Sequence, residues 1–391
     1  MAEKAYITPE ILKWARVSAK ISLEKAVATI SKTCTKEKIE EWESPKCKDF
    51  PTISQAEKLA KLYRRPLSVF FLPTIPTDFQ TLRDFRSKKH GDFSTALIFM
   101  MREIHEKQHW ISTLFSDNEE RELDYVGRFN SRSLVEKVAT DIRNTLEIVT
   151  TESSAKPLKY WIEKAEKQRI FVSLSSNFHT RLKLDSDEVK GFAIADKFAP
   201  FIFLNSEDWD NAKLFTLVHE LAHIWINETG VSNDTQINFR DNVNSKIDPV
   251  EKFCNEVAAN ALLPEAELKS VLPSQNSFEF SHIVSISKQF GVSIPTLLIR
   301  LSNLNSISQI QYNKFKATSD KQFKEFLAKE DEKKKEGFAN PYYMWLNRNG
   351  KIFSQIVIDY YKGGQLSGLE ASHSLNIKLN NFSKFEHYLY K

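Results

Sequence analysis

The stretch Val218–Trp225, VHELAHIW, constrains this chain more than any other. Its flanks Leu217, Val218, Ile224 and Trp225 are apolar, and so are Leu221 and Ala222 between the two histidines. A helix that is apolar on nearly every side belongs inside a domain. The pattern therefore predicts a buried helix over Asp210–Ile226, with polar groups only where chemistry needs them. His219 and His223 stand at i and i+4, so their rings point to the same side and can share one zinc ion. Glu220 follows the first histidine and lies near the open coordination position, where it can take a proton from a water molecule. This is the H-E-x-x-H signature.

The signature occurs twice. Ile104–Trp110 reads IHEKQHW, which makes His105 and His109 a second candidate pair. Here the residues between the histidines are Lys107 and Gln108, and Arg102, Glu103 and Glu106 surround them. That composition predicts an amphipathic surface helix with Ile104, Ile111 and Leu114 as its apolar part, and His105 and His109 as exposed or rim histidines. Zinc is assigned to His219 and His223.

A catalytic zinc site needs a third protein ligand. Downstream, Glu251–Pro264 reads EKFCNEVAANALLP, and both Glu251 and Glu256 offer a carboxylate. Glu251 shares a helical face with Asn255, Ala258 and Leu262. Glu256 lies about 140° away at roughly 100° per residue. The small Ala258 and Ala259 let this helix approach the zinc helix closely, so Glu251 is the expected ligand. Asn255, one turn on, is placed to accept the second N–H of a ligand histidine and fix its tautomer.

The rest of the chain reads as mostly helical. Thr8-Pro9-Glu10, Ser22, Thr35 and Pro51-Thr52 are helix starts, and Pro66 introduces LSVFFL, so short helices crowd the first 75 residues. Phe79–Phe85 reads as a linker. Longer helical patterns cover Thr95–Leu114 and Leu134–Ile148, and another begins at Pro157. The period then changes to that of strands at Ile170–Leu174, Val189–Ala195 and Phe201–Leu204, the last two forming a hairpin around Asp196-Lys197. Asn227–Lys246, rich in Asn, Asp and Ser, reads as a loop. Further helices follow around Gly291, a charge run covers Ser319–Glu336, and Ser367 with Glu370 has capping-box spacing.

The 391 residues allow two or three domains. No apolar run is long enough for a membrane span, and MAEKAYITPE has no apolar signal region. Cys34, Cys47 and Cys254 are scattered, which fits a reducing cytoplasm and argues against a cysteine zinc site. Net charge is +4, yet Met1–Ile75 alone holds 14 Lys/Arg against 9 Asp/Glu. The helix after Thr35 would be the recognition helix of a helix-turn-helix. Lys32, Thr33, Thr35, Lys36 and Lys38 are its candidate DNA contacts. Glu37, Glu40 and Glu41 oppose a phosphate backbone, so a protein-docking role stands beside the DNA-binding one.

The order of strand hairpin, LFTLVHELAH, loop and EKFCNEVAANALLP resembles the ImmA/IrrE family of zinc metallopeptidases. Glu251, Asn255, Ala258, Ala259, Leu262 and Pro264 match that family's E-x-x-A-N-x-F-A-A helix and its Leu-Leu-x-Pro end. Cys254 and Val257 stand where Ala and Phe are usual, and Ala222 where Gly is commoner. The N-terminal segment resembles the Xre-type helix-turn-helix of longer members, and YYKGGQLSGLEASHSLNIK resembles their tail. The resemblance implies an α+β, mostly helical chain: helix-turn-helix at 1–75, helical linker at 76–150, gluzincin-like peptidase with a small β-sheet at 151–310, and helical C-terminal region at 311–391. It implies a cytoplasmic Zn2+-dependent endopeptidase, with Glu220 as base, that cleaves a partner regulator, an Xre-type repressor or a toxin–antitoxin partner. The competing expectation is a DNA-binding regulator or antitoxin-like protein whose peptidase fold is mainly a scaffold. A further expectation is that Phe201–Leu204 offers an open strand edge to the substrate backbone.

Overall fold

A computed structural model describes residues 3–31, 34–76, 94–150, 155–175, 177–179, 182–185, 188–232, 248–273, 278–331 and 340–391. The chain is α+β and mostly helical. It divides into two compact units, Met1–Glu103 with Asn177–Lys183, and Ile104–Ser176 with Leu184–Lys391. Among the described residues no helix is long and apolar enough to cross a membrane.

The first unit holds helices α1 (Pro9–Ser18), α2 (Leu23–Ile30), α3 (Lys36–Trp42) and α4 (Ile53–Tyr63), then a 3-10 turn at Leu67–Phe71. Their starts follow from local chemistry. Ser22 accepts from Lys25 N, Thr35 from Lys38 N, and Thr52 with Gln55 closes a reciprocal capping box. Thr8 sits at the N-cap of α1, but its hydroxyl donates to Leu72 O at 2.7 Å and so ties the helix start to the end of the 3-10 turn. Ile11, Leu12, Ile39, Trp42, Leu59, Tyr63 and Phe70 form the core. The linker expected at Phe79–Phe85 lies outside the described residues. A short hairpin, β2 (Asn177–His179) with β3 (Leu182–Lys183), is grouped with this unit.

In the second unit a sheet runs in the order β1 (Phe171–Leu174), β5 (Phe201–Leu204), β4 (Gly191–Ile194), β6 (Gly230–Ser232). β1 is parallel to β5, and the other pairs are antiparallel. This corrects two expectations. β5 is an inner strand, hydrogen-bonded on both sides and buried throughout, so it offers no free edge. Strand order depends on the distant Phe171–Leu174 segment, which local pattern cannot reveal. The Asn- and Ser-rich stretch expected to be loop contributes β6, and residues 233–247 lie outside the described set.

The helices α5 (Thr95–Asp117), α6 (Val135–Thr145), α7 (Pro157–Lys167), α8 (Asp210–Trp225) and α9 (Pro249–Leu262) follow the expected patterns to within a few residues. α8 is the central element: every residue from Lys213 to Trp225 is buried. It packs on β4 and β5, on α6 and, most extensively, on α9. At its end Trp225 stacks on Tyr125 with ring centres 4.6 Å apart, and its indole N–H donates to Asp141 at 2.7 Å. Such a buried Trp satisfies its polar handle while contributing apolar area.

After α9 come α10 (Glu265–Val271), α11 (Phe280–Phe290), α12 (Ile294–Asn303), α13 (Gln309–Asp331), α14 (Pro341–Asn349), α15 (Lys351–Lys362), α16 (Gly368–Leu375) and α17 (Phe382–Leu389). The capping box at Ser367 and Glu370 is formed. The turn between α14 and α15 is pinned to the sheet side of the unit. Ser173 Oγ donates to Arg348 O at 2.6 Å, and the buried Glu166 carboxylate accepts from Lys351 N at 2.8 Å, where α15 begins. Gly350 between them has φ +77°, and a Cβ there would lie 2.6 Å from Val172 O, so only glycine fits. Burial pushes the Glu166 carboxyl up to about 7, although the N–H groups of Lys351 and Ile352 pull it down. A raised carboxyl favours the protonated folded state. Its contribution is full below the unfolded value near 4.5 and is lost as pH rises through about 7. Glu166→Gln is therefore expected to flatten the fall in melting temperature between about pH 4.5 and 7, which thermal scans of both proteins at matched ionic strength would measure.

Candidate metal centre

Two helices build the site. α8 supplies His219, Glu220 and His223, all fully or almost fully buried, and α9 supplies Glu251 and Asn255. His219 Nε2 and His223 Nε2 are 3.0 Å apart. Glu251 reaches both, with Oε2 at 3.2 Å from His219 Nε2 and Oε1 at 3.5 Å from His223 Nε2. Among the described residues this is the one group of three metal-ligating side chains that converges. Glu256 lies on another face of α9, with its carboxylate 4.0 Å from Lys252.

The donor set fits a zinc ion. Ligand atoms placed tetrahedrally at about 2.0–2.1 Å from one ion stand roughly 3.3–3.4 Å from each other, close to the three separations seen. The protonation pattern fits as well. Asn255 Oδ1 lies 2.9 Å from His219 Nδ1. A carbonyl oxygen only accepts, so Nδ1 carries the proton and donates it. That leaves the Nε2 lone pair facing the cluster. Asn255→Ala is expected to weaken metal affinity by about 10–100-fold with the fold intact; competition with a chromogenic chelator measures it.

The electrostatics point the same way. Burial alone would raise the Glu251 carboxyl, yet hydrogen bonding to His219 and His223 holds it well below the ordinary carboxylate range. Burial disfavours a charged His223, but Cys254, Glu251 and Glu220 around it outweigh this and raise its pKa well above the usual value. The carboxylates thus create a buried negative potential that calls for a cation.

Two residues outside the expected ligand set shape the centre. Gly191 on β4 sits so close to α8 that a Cβ would lie 2.6 Å from Thr216 Cγ2 and 3.4 Å from Glu220 Oε1. A glycine inside a strand is the available signal for such close approach. Cys254, one residue before Asn255, is buried against His223, and burial pushes its thiol up.

The second H-E-x-x-H copy is built differently. His105 and His109 stack with nearly parallel rings 6.3 Å apart, half-buried and exposed respectively. Lys107 and Gln108, expected on a surface, are buried instead. Lys107 donates to Asn349 Oδ1 at 2.8 Å and lies over the Phe353 ring; Gln108 donates to Ala199 O. The Asn349 oxygen and the Phe353 ring offset part of the cost of burying this charge, and Asn349 lies 242 residues away, beyond local reading. The intervening residues therefore face inward, while His105 is half-buried and His109 exposed. Of the candidate DNA contacts, Thr35 caps α3, Lys36 pairs with Glu24, and Lys38 pairs with Glu41 and Asp49. Lys32 and Thr33 lie outside the described residues.

Comparison with known families agrees with the centre. Residues 169–302, about a third of the chain, match the family model of the IrrE N-terminal-like domain, Peptidase_M78. A search of curated proteins finds no match to this chain. The matched span runs from β1 through α12 and contains every residue of the His219, His223 and Glu251 cluster. Over this segment the chain is similar to the IrrE N-terminal-like domain, a peptidase family.

Proposed function

We propose that the protein is a zinc-dependent endopeptidase that cuts a partner transcription regulator. The observation that carries this reading is the triangle of buried His219 and His223 with half-buried Glu251, and Glu220 beside the histidines on α8. His219, His223 and Glu251 would hold Zn2+, which when bound supplies Lewis acidity toward a water and the scissile carbonyl. Glu220 takes the proton from the attacking water and passes it to the departing amine nitrogen, so hydrolysis yields one carboxylate and one amine. Asn255 keeps the His219 ring in place during this exchange. Leu217, Val218 and Leu221 are buried on the other sides of the same helix and fix it in the core, so the ligand side chains are held in place.

The first unit is the route to the partner. We read it as an Xre-type helix-turn-helix that docks a like-folded repressor or toxin–antitoxin partner. α3 carries three glutamates against two lysines, and both lysines are paired with carboxylates of the same unit. Exposed pairs hold their partners weakly, but the carboxylates themselves repel phosphate. DNA binding through this surface is the second reading. A mobility-shift titration separates the two: the docking reading expects shallow, nonspecific retardation, whereas a steep salt slope with a preferred operator would establish DNA recognition. The peptidase reading is tested by incubating the zinc-loaded chain with a co-encoded Xre-type regulator. A regulator that stays intact with the active protein, as it does with Glu220→Gln, supports the scaffold reading instead.

A further inference from the structure

A cavity of about 340 Å³ opens between α6, α9 and α12. Its character is set by Arg300, Asn260, Glu256 and Glu136. Arg300 is 8% exposed and forms no ion pair with any described residue. Its Nε donates to Leu263 O at 3.2 Å and one terminal nitrogen donates to Asn260 Oδ1 at 2.6 Å. Asn260 is in turn held by its own amide on Glu256 O at 2.8 Å. A guanidinium presents five N–H donors in a planar fork, so this anchoring leaves donors available at the cavity. Burial lowers the Arg300 pKa, against the opposing pull of the nearby Glu265 and Glu136 carboxylates. Such a charge is costly unless something compensates it.

The two carboxylates define the rest of the site. Glu256 is half-buried on α9, and Glu136 is exposed on α6. One cation and two anions make a lining that disfavours phosphate and other dianions but suits a ligand with a negative and a positive end. We propose that this cavity binds a free α-amino acid, its carboxylate on Arg300 and its ammonium on Glu256 and Glu136. The volume falls at the lower end of the range of small-molecule sites. The site lies on a different face of α9 from Glu251 and stands independently of the metal reading.

Calorimetric titration of the full chain with each of the twenty amino acids, with acetate and inorganic phosphate as controls, tests this. At least one amino acid is expected to bind more tightly than acetate or phosphate. Arg300→Gln is expected to weaken it by roughly 10–100-fold, the usual effect of losing a charge-assisted hydrogen bond. Because Arg300 also anchors Leu263 and Asn260, a Glu136→Gln/Glu256→Gln variant provides the second arm. It alters only half-buried or exposed carboxylates. It is expected to weaken amino-acid binding several-fold while leaving acetate binding equal or tighter. Absence of binding by every amino acid overturns the proposal. So does acetate or phosphate binding as tightly as the best amino acid, or amino-acid binding unchanged in the double variant.

Discussion

Glu220→Gln is expected to keep the metal and lose the hydrolysis. The substitution is nearly isosteric and replaces a side chain that is wholly buried on α8, so the packing around Thr216 and Gly191 need not change. It removes the one carboxylate next to the first histidine that can accept a proton from water. General-base catalysis contributes about 10²–10⁴-fold, so turnover should fall by at least that range. Metal content, measured on the purified variant, should match the wild type, because His219, His223 and Glu251 are untouched. Cleavage of a partner regulator persisting at more than a tenth of the wild-type rate would remove Glu220 from the mechanism. Loss of metal together with activity would make its role structural.

The helices were the most legible part of the fold because their determinants are local. Ser22, Thr35 and Thr52 cap through their own hydroxyls, and Gly291 closes α11 with a left-handed backbone. The convergence of the candidate ligands was legible for a related reason. His219, Glu220 and His223 sit on one helix, and Glu251 and Asn255 are separated by one turn on another, so helical geometry alone brings each set to one face. What failed were features decided by distant partners. The inner position of Phe201–Leu204 is set by Phe171–Leu174 on one side and Gly191–Ile194 on the other. Lys107 is buried because Asn349 and Phe353 receive its ammonium. β6 is three residues long in a polar stretch and gains its place only by pairing with β4. The close approach of Gly191 to Glu220 likewise belongs to tertiary packing, with only a glycine in a strand to hint at it.

The two H-E-x-x-H copies should separate cleanly when each is removed in turn. His223→Ala leaves one imidazole and one carboxylate, fewer protein ligands than a catalytic zinc site uses. Affinity should fall by more than the roughly 10–100-fold assigned to loss of an orienting partner, and the purified chain should carry almost no zinc. The half-buried Glu251 would then lose one of the two imidazoles that hold its carboxyl low, so less of the stability that its ionised form contributes above the ordinary carboxylate range should remain. The double variant His105→Ala/His109→Ala acts on rings that stack on one another on α5, with Lys107 and Gln108 carrying the buried contacts between them. Zinc content by atomic emission and cleavage of the regulator should both remain at wild-type levels. Loss of zinc in that double variant, with the melting temperature unchanged, would reverse the assignment; retention of full zinc by His223→Ala would show that the ion sits elsewhere.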